Sequence, residues 1–139
     1  MNTVLRAAVV VAFVLVCSVA AVAGRQATSD GWQIGDDAVD LRNPVGLTPA
    51  VLSTGADLYR SKCQRCHGRS GRGNGPDADL DNPPRDLTDN RRAPRNPDGV
   101  LFYKIWNGRS NPRMPAFKTD ISRDEVWTIV HYVKTLRVP

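Results

Sequence analysis

The sequence has few side chains that can bind a metal. Its 139 residues include three cysteines, two histidines and two methionines. A structural zinc site takes four ligands, mostly cysteine and histidine. Apart from Cys17, the cysteines lie with one histidine in residues 63–67, and the other histidine is His131. A zinc site is therefore disfavoured.

Strict alternation of apolar and polar residues is also missing, as is any internal repeat. Without alternation no β-strand is predicted, and we expect an all-α chain with long loops. The formal net charge of +5 is too small to indicate nucleic-acid binding. The length is enough for one domain with a modest core.

One long hydrophobic run is present, at the N terminus. Residues 7–23 are apolar, follow a single charge at Arg6 and end in Ala21-Val22-Ala23, a small-x-small sequence. These features predict a signal peptide over residues 1–23 and export to the periplasm. An uncleaved anchor is the alternative, because about 17 apolar residues can just span a bilayer.

Cleavage of this segment would remove Arg6 and Cys17. Cys17 follows a valine and not the small residue that normally precedes a lipidated cysteine, so we assign it to the signal peptide. The remaining chain has 18 basic and 14 acidic side chains, a formal charge of +4, and two cysteines, Cys63 and Cys66. A disulfide between them would close a very short loop and constrain the unfolded chain little. A stabilising disulfide is therefore a poor explanation for the two cysteines.

Residues 24–47 show no sustained period and are rich in glycine and aspartate. We interpret them as an extended arm or linker that either wraps the domain or stays mobile. Residues 48–139 form the predicted domain. Within it, residues 68–96 contain too many glycines and prolines for a long helix or strand and are predicted to be a loop.

Three helices are predicted in the domain. The first begins at Thr48-Pro49, a capping residue followed by a proline, and runs to Cys66. The second starts at Pro97, with Asn96 as its cap and Gly108 just past its end. The third begins with a capping box formed by Ser122 and Glu125. Its apolar face consists of Val126, Ile129, Val130 and Val133.

The sequence KCQRCHG places Cys63, Cys66 and His67 within one short segment. A thioredoxin-like dithiol is expected at the head of a helix in a βαβ pattern, and no strand is predicted. C-x-x-C-H is also the attachment signature of c-type haem. On a helix the two cysteines lie on one face, and each can form a thioether to a haem vinyl group. The motif therefore favours one covalent haem c with its iron.

In such a site His67 is the proximal iron ligand through Nε2, with Nδ1–H donating to a backbone carbonyl. Pro83 or Pro84, after the glycine-rich loop, is the candidate for that carbonyl. The second axial ligand is predicted to be Met114, in the proline-bounded segment NPRMPAF. A lone methionine can also be a flexible core filler, but a filler is less expected in a polar segment without helical period. His131 is the competing ligand, which we interpret as a surface or helix-packing residue.

Several motifs occur in an order that is typical of one family. They are G-x-x-L-Y-x-x-x-C-x-x-C-H-G at residues 55–68, P-P-R-D-L at residues 83–87 and M-P-A-F at residues 114–117. Together with Tyr132 in the last helix, they resemble the class I cytochromes c. The likeness is greatest to single-haem bacterial periplasmic cytochromes and the haem domains of cbb3-type oxidase subunits, and it covers residues 45–138.

The resemblance implies a cytochrome c-like fold, in which the first and last helices cross and long loops surround the haem. Gly55 would allow the helices to approach closely, and Tyr59 would pack near Tyr132. The resemblance also places Arg85 or a nearby arginine at a haem propionate, with a solvated loop charge as the alternative. Trp106 would line the haem or donate to a propionate, unless it is an ordinary core tryptophan.

The segment from Arg60 to Pro76 is basic and contains no acidic residue. Its basic residues are Arg60, Lys62, Arg65, Arg69 and Arg72. Such a field would steer an acidic redox partner toward the exposed haem edge, although a merely solvated basic face is the alternative. The glycines of the same segment would let the loop pass close to the haem plane.

These features predict an exported single-electron carrier with His67 and Met114 as axial ligands, because methionine opposite histidine raises the reduction potential. Its partners would be larger redox proteins and no nucleic acid, with a membrane involved only if the N-terminal segment is uncleaved. The protein would not be an enzyme by itself. Two alternatives stay open: the arm could fix the domain as a subunit on a dehydrogenase or oxidase complex, or an open sixth site could support peroxidase chemistry.

Overall fold

The computed structural model describes residues 31–137, and its regular elements are helical. The α-helices are α1 (Pro49–Lys62), α2 (Gln64–His67), α3 (Asp98–Asn107) and α4 (Arg123–Thr135), and a 3-10 helix covers Asn90–Arg95. Within the described residues no strand forms, and an isolated β-bridge joins Arg109 and Met114. The predicted all-α class is confirmed.

The predicted signal peptide and the first part of the predicted arm lie outside the described residues. Among residues 31–137, no helix is both long enough and apolar enough to cross a membrane. The assignment of residues 1–23 to a signal peptide or an anchor therefore stays a prediction.

α1 begins as predicted but ends earlier. The hydroxyl of Thr48 accepts a hydrogen bond of 3.2 Å from the backbone N–H of Val51, and Pro49 occupies the first turn. α1 ends at Lys62, and Cys63 joins it to α2 with a distorted backbone, in which φ is −116° and ψ is −34°. Cys66 and His67 therefore lie on a separate short helix, and the prediction of one continuous helix to Cys66 is wrong in this break at Cys63.

α3 has a different cap from the predicted one. Pro97 is the N-cap, with an extended backbone, and Gly108 ends the helix as predicted, with a φ of +62°. The Asn96 side chain instead accepts a hydrogen bond from Lys104 Nζ (2.6 Å) and donates to the carbonyl of Arg92 (2.8 Å). The side chain of Asn96 thus connects the 3-10 helix to α3 by hydrogen bonds, and it does not cap α3.

α4 begins with the predicted capping box. The N–H of Ser122 donates to Glu125 Oε2 (2.7 Å), and the N–H of Glu125 donates to Ser122 Oγ (3.3 Å). The hydrogen bond from the Ser122 backbone lowers the pKa of Glu125. The predicted apolar face is buried at all four positions. Both the start and the buried face of α4 are therefore confirmed.

α1 and α4 cross at Gly55. A Cβ atom at this position would lie 2.7 Å from the Thr128 carbonyl oxygen and 2.9 Å from Tyr132 Cβ, so only glycine allows this approach. Beside the crossing, the rings of Tyr59 and Tyr132 are 5.2 Å apart. This is the helix crossing expected from the cytochrome c-like fold.

α3 packs against α4 through an aromatic stack centred on Phe102. This residue is fully buried, and its ring centroid lies 4.2 Å from that of Trp127 and 5.7 Å from that of Trp106. Both pairs are close to parallel. The stack forms the centre of a core to which α1, α3 and α4 all contribute.

The segment 31–47 wraps the domain, one of the two behaviours predicted for the arm. Its contacts with α3 are hydrogen bonds from Asn107 to the Gln33 carbonyl and from Tyr103 to Asp37. Its contacts with α4 are hydrogen bonds between Asn43 and the Trp127 carbonyl and between the Val45 carbonyl and His131. The arm therefore runs first along α3 and then along α4.

Candidate haem site

The cysteine motif is held by the glycine-rich loop that follows it. Three successive carbonyls of α2 accept backbone hydrogen bonds from this loop: Arg65 from Asp77 (2.8 Å), Cys66 from Gly75 (3.1 Å) and His67 from Gly73 (2.8 Å). The last carbonyls of a helix have no partner within the helix. Here the loop supplies those partners, and it thereby fixes the position of the motif.

Two glycines make this arrangement possible. A Cβ atom at Gly73, where φ is +79°, would lie 2.1 Å from the Pro84 carbonyl oxygen. A Cβ atom at Gly75 would lie 2.2 Å from the Arg65 carbonyl oxygen. These glycines therefore permit close approach to the protein backbone. The sequence suggested a different reason for them, namely passage of the loop close to a haem plane.

Cys63 and Cys66 are both half-buried and unlinked. Burial raises the pKa of the Cys63 thiol to about 12, with a smaller contribution from Cys66. A redox-active dithiol needs a cysteine of lowered pKa, because the thiolate is the reactive form. The environment of Cys63 is the opposite of this. It suits a sulfur held in a permanent covalent bond.

His67 has a buried Nδ1 atom for which the described residues provide no hydrogen bond of standard geometry. Burial lowers the pKa of the imidazole, and the backbone of Arg85 partly offsets this effect. The ring is therefore neutral near pH 7, which is the form that binds iron. The backbone group that acts on the imidazole belongs to Arg85, next to the predicted Pro84.

These features fit a covalently attached haem. Two unlinked thiols and a neutral imidazole lie within residues 63–67, with Cys63 at the N-cap of α2 and Cys66 and His67 in the helix, and the buried Nδ1 of His67 has no hydrogen-bond partner among the described residues. Within residues 31–137, no three histidine, cysteine, aspartate or glutamate side chains are arranged to hold a metal ion. Thioether attachment does not require such convergence, because the imidazole would be the only iron ligand from these four residue types.

Met114 lies in the loop between α3 and α4. Its N–H and C=O both pair with the backbone of Arg109, at 2.8 Å each. The residue is half-buried and packs against the hydrophobic core, as do Cys63 and Trp106. The structure thus brings the first cysteine, the methionine and the tryptophan of the predicted site to one core.

Trp106 and His131 have well-defined packing roles. The Trp106 ring stacks on Phe102, and the guanidinium of Arg123 lies 5.4 Å from its centroid. The Nε2 atom of His131 is 2.7 Å from the carbonyl oxygen of Val45. His131 is therefore engaged in holding the arm against α4, which agrees with its interpretation as a packing residue.

Arg85 is exposed and lines an open cleft of about 850 Å³. The cleft is formed by Arg72 on one side and by residues from Pro83 to Arg92 on the other. Its volume lies within the usual range of ligand pockets. Through the Arg85 backbone the cleft adjoins His67, so a group carrying carboxylates next to His67 would be within its reach.

Two of the five basic residues near the motif are paired with carboxylates. Arg60 forms an ion pair with Asp57 (2.8 Å), and Arg65 forms a bidentate one with Asp77 (2.6 and 3.1 Å). The segment 60–76 itself contains no acid, so the sequence analysis missed both partners, which lie just outside it. Any steering of a partner would therefore depend on the other three, which are exposed: Lys62, Arg69 and Arg72.

The sequence analysis also missed Trp32, because residues 24–47 show no period that would assign a contact to it. The Trp32 ring lies against Arg109, with the guanidinium carbon 4.4 Å from the ring centroid. Trp32 is the one aromatic residue in residues 24–47, and this was the available signal.

The chain was compared with models of protein families and with solved structures. The sequence model of the family described as cytochrome c oxidase, cbb3-type, subunit III, matches residues 50–133. A chain of the reducing HAO-like protein complex of Kuenenia stuttgartiensis has a similar structure, with a TM-score of 0.56 and 28% sequence identity. The match covers 70% of the present chain and 50% of that chain, so the present chain spans about half of its length. No curated protein matches the sequence.

Proposed function

The chain belongs to the family of cbb3-type cytochrome c oxidase subunit III, and from this premise we propose that it carries single electrons between larger redox proteins. The family's cofactor is a covalent c-type haem with its iron, and its role is haem-based electron transfer. The observation that carries the proposal is the state of His67, a neutral imidazole with an orphaned buried Nδ1, beside two unlinked cysteines.

Each predicted site residue has a role in this proposal. Cys63 and Cys66 would hold the haem by thioethers, and His67 and Met114 would be the ligands of its iron. The haem supplies the one-electron change of its iron, while the protein supplies ligation, burial and docking. Arg85 would hold a propionate at the edge of the cleft, and Trp106 would line the haem from the core.

Methionine ligation suits a carrier because a thioether opposite histidine raises the reduction potential. The half-buried position of Met114 on the same core as Cys63 supports this assignment. The contact of His131 Nε2 with the Val45 carbonyl oxygen gives the competing ligand another partner, which supports Met114 as the axial ligand. The protein would then transfer electrons without catalysing a reaction by itself.

We further propose that the protein is exported to the periplasm, on the basis of its apolar N-terminal segment. A second candidate role is that of a haem-bearing subunit fixed to a larger complex. The similarity to a chain of the Kuenenia complex favours it. Co-purification with a larger complex at moderate salt would support the subunit role, and recovery of the protein alone would support the free carrier.

The ligand assignment is tested with Met114→Ala and His131→Ala in the purified holoprotein. Met114→Ala should abolish the methionine-to-iron charge-transfer band of the oxidised form and lower the potential. His131→Ala should leave both unchanged, although it should reduce stability. The reverse pattern would identify a bis-histidine cytochrome. Rapid carbon monoxide binding by the reduced wild type, with no such band in its oxidised form, would instead indicate an open sixth site.

A further inference from the structure

The loop that carries Met114 has little core packing of its own. A Cβ atom at Gly108 would lie 2.4 Å from the Met114 carbonyl oxygen, so the loop folds back against the end of α3. Its residues Asn111, Arg113, Pro115 and Ala116 are exposed, and the next buried side chain is Phe117. The position of Met114 is therefore set by the backbone pairing with Arg109 together with the packing of its own side chain on the core.

Arg109 is held in turn by the arm. Its guanidinium lies over the Trp32 ring at 4.4 Å, and its Nε donates to the Pro112 carbonyl at 3.0 Å. The backbone at Gly31 is close to the same side chain, because a Cβ atom there would be 3.7 Å from Arg109 Cδ and 3.7 Å from the Asn111 carbonyl oxygen. The arm thus touches both the side chain of Arg109 and the turn between Arg109 and Met114.

Trp32 is itself fixed by contacts on either side. Asn107 donates to the carbonyl of the next residue, Gln33, at 2.9 Å, and the ammonium of Lys104 lies 5.3 Å from the Trp32 ring centroid. Further along the arm, Ala38 is buried against Gly99 of α3. The ring is therefore presented to Arg109 from a segment that is docked along the whole of α3.

We propose that Trp32 is a positioning residue for Met114: through Arg109 and its bridge, the arm sets how firmly the methionine binds the haem iron. The inference rests on the proposed ligation of iron by Met114. It assigns the arm a function in tuning the redox centre. A chain in which the arm is displaced would keep its haem but hold the methionine less firmly, so that an external ligand replaces it more readily.

The experiment measures imidazole binding to the oxidised holoprotein, the methionine-to-iron band and the reduction potential. Trp32→Ala should strengthen apparent imidazole binding by roughly tenfold, because loss of the cation–π contact increases the fraction with methionine released. The same variant should weaken the band and lower the potential. Trp32→Phe keeps an aromatic face and should restore values close to those of the wild type.

Arg109→Lys is the second variant, which decides the matter if Trp32→Ala fails to fold. It keeps the charge and the backbone bridge but loses the planar group that stacks on the ring, and it should behave like Trp32→Ala. Asn43→Ala is the matched control, because it removes a hydrogen bond between the arm and α4 (2.9 Å). It should lower thermal stability and leave imidazole binding, band and potential unchanged.

The possible outcomes distinguish the positioning role of Trp32 from the ligation of iron by Met114. If the wild type shows the band, and Trp32→Ala and Arg109→Lys bind imidazole like Asn43→Ala, the positioning role is wrong and the ligation stands. If all three variants shift imidazole binding equally, the arm acts through general stability, and the specific role of Trp32 is also wrong. If the wild type shows no band and Met114→Ala does not change its spectrum, the ligation and the positioning role fail together.

Discussion

The hydroxyl of Tyr59 donates a buried hydrogen bond of 2.8 Å to the carbonyl oxygen of Gly68. Tyr59 lies on α1, and Gly68 directly follows His67. Burial raises the pKa of Tyr59, with smaller contributions from Cys63 and Tyr132, so the hydroxyl remains a donor at any ordinary pH. The contact therefore ties the first helix of the domain to the residue that follows the haem motif.

Tyr59→Phe should destabilise the protein by about 1–2 kcal/mol, because the buried Gly68 carbonyl loses its donor. Urea unfolding of the oxidised holoprotein measures the change. The control is Tyr103→Phe, which removes an exposed hydrogen bond to Asp37 and should cost about 0.5 kcal/mol. Equal losses in the two variants would show that the Tyr59 contact has no special value.

Gly55→Ala should destabilise the protein by about 1–3 kcal/mol, since the added methyl group meets the Thr128 carbonyl and α1 must move away from α4. Thermal unfolding detects the loss. Gly46→Ala is the matched control, because a Cβ atom there would have no atom within 4 Å. A neutral Gly55→Ala variant would contradict the close helix crossing.

The capping residues in the sequence predicted the starts of α1 and α4 correctly. Thr48 and the pair Ser122 and Glu125 act through hydrogen bonds within three residues, so their roles can be read from adjacent sequence. The cap of α3 was mispredicted because the Asn96 side chain forms hydrogen bonds with Lys104 and with the Arg92 carbonyl instead. Neither partner is among the first backbone N–H groups of the helix, with which a capping residue bonds. The start of a helix is predictable only when its cap has no competing partner.

The candidate site also has a part that could be predicted from adjacent residues and a part that could not. Cys63, Cys66 and His67 follow from one short motif whose chemistry depends on their spacing. The contacts that hold them come from Gly73, Gly75 and Asp77, and no sequence period connects such loop residues to the helix. The stacking of Trp32 on Arg109 spans 77 residues of chain, and it was invisible for the same reason.

The capping box of α4 should make stability depend on pH. The pKa of Glu125 is lowered by its hydrogen bonds to Ser122, so its carboxylate stabilises the fold above its ordinary pKa, and this stabilisation is lost as the pH falls through the lowered value. Glu125→Gln keeps a capping side chain but cannot ionise. It should cost about 0.5 kcal/mol near neutral pH and nothing once the pH is below the lowered pKa of Glu125.

Urea unfolding at several pH values, with wild type and variant compared at each, isolates this term from other acid effects. Asp124→Asn is the control, because it removes the same charge from the first turn of α4 without touching the capping box. A constant difference between wild type and Glu125→Gln across the acid range would rule out a contribution from ionised Glu125.

The basic residues near the motif should steer a charged reagent to the haem. The charge of Arg65 is neutralised by Asp77. Arg69 and Arg72 are exposed in the adjoining loop, and we expect their charges to produce the positive potential around the motif. Oxidation of the reduced protein by the trianion ferricyanide should slow roughly three- to tenfold in Arg69→Gln/Arg72→Gln at low ionic strength. A tricationic cobalt complex should react faster with the same variant, because the repulsion is reduced.

The control for this experiment removes a cation and an anion together. Arg65→Gln/Asp77→Asn leaves the net charge unchanged, so its rate with either reagent should remain close to that of the wild type. Salt should reduce the difference between wild type and Arg69→Gln/Arg72→Gln, because charges are screened over about 10 Å at 0.1 M ionic strength. If the double arginine variant reacts like the wild type with both reagents at low salt, the basic loop is only a solvated surface, and partner docking must depend on another face.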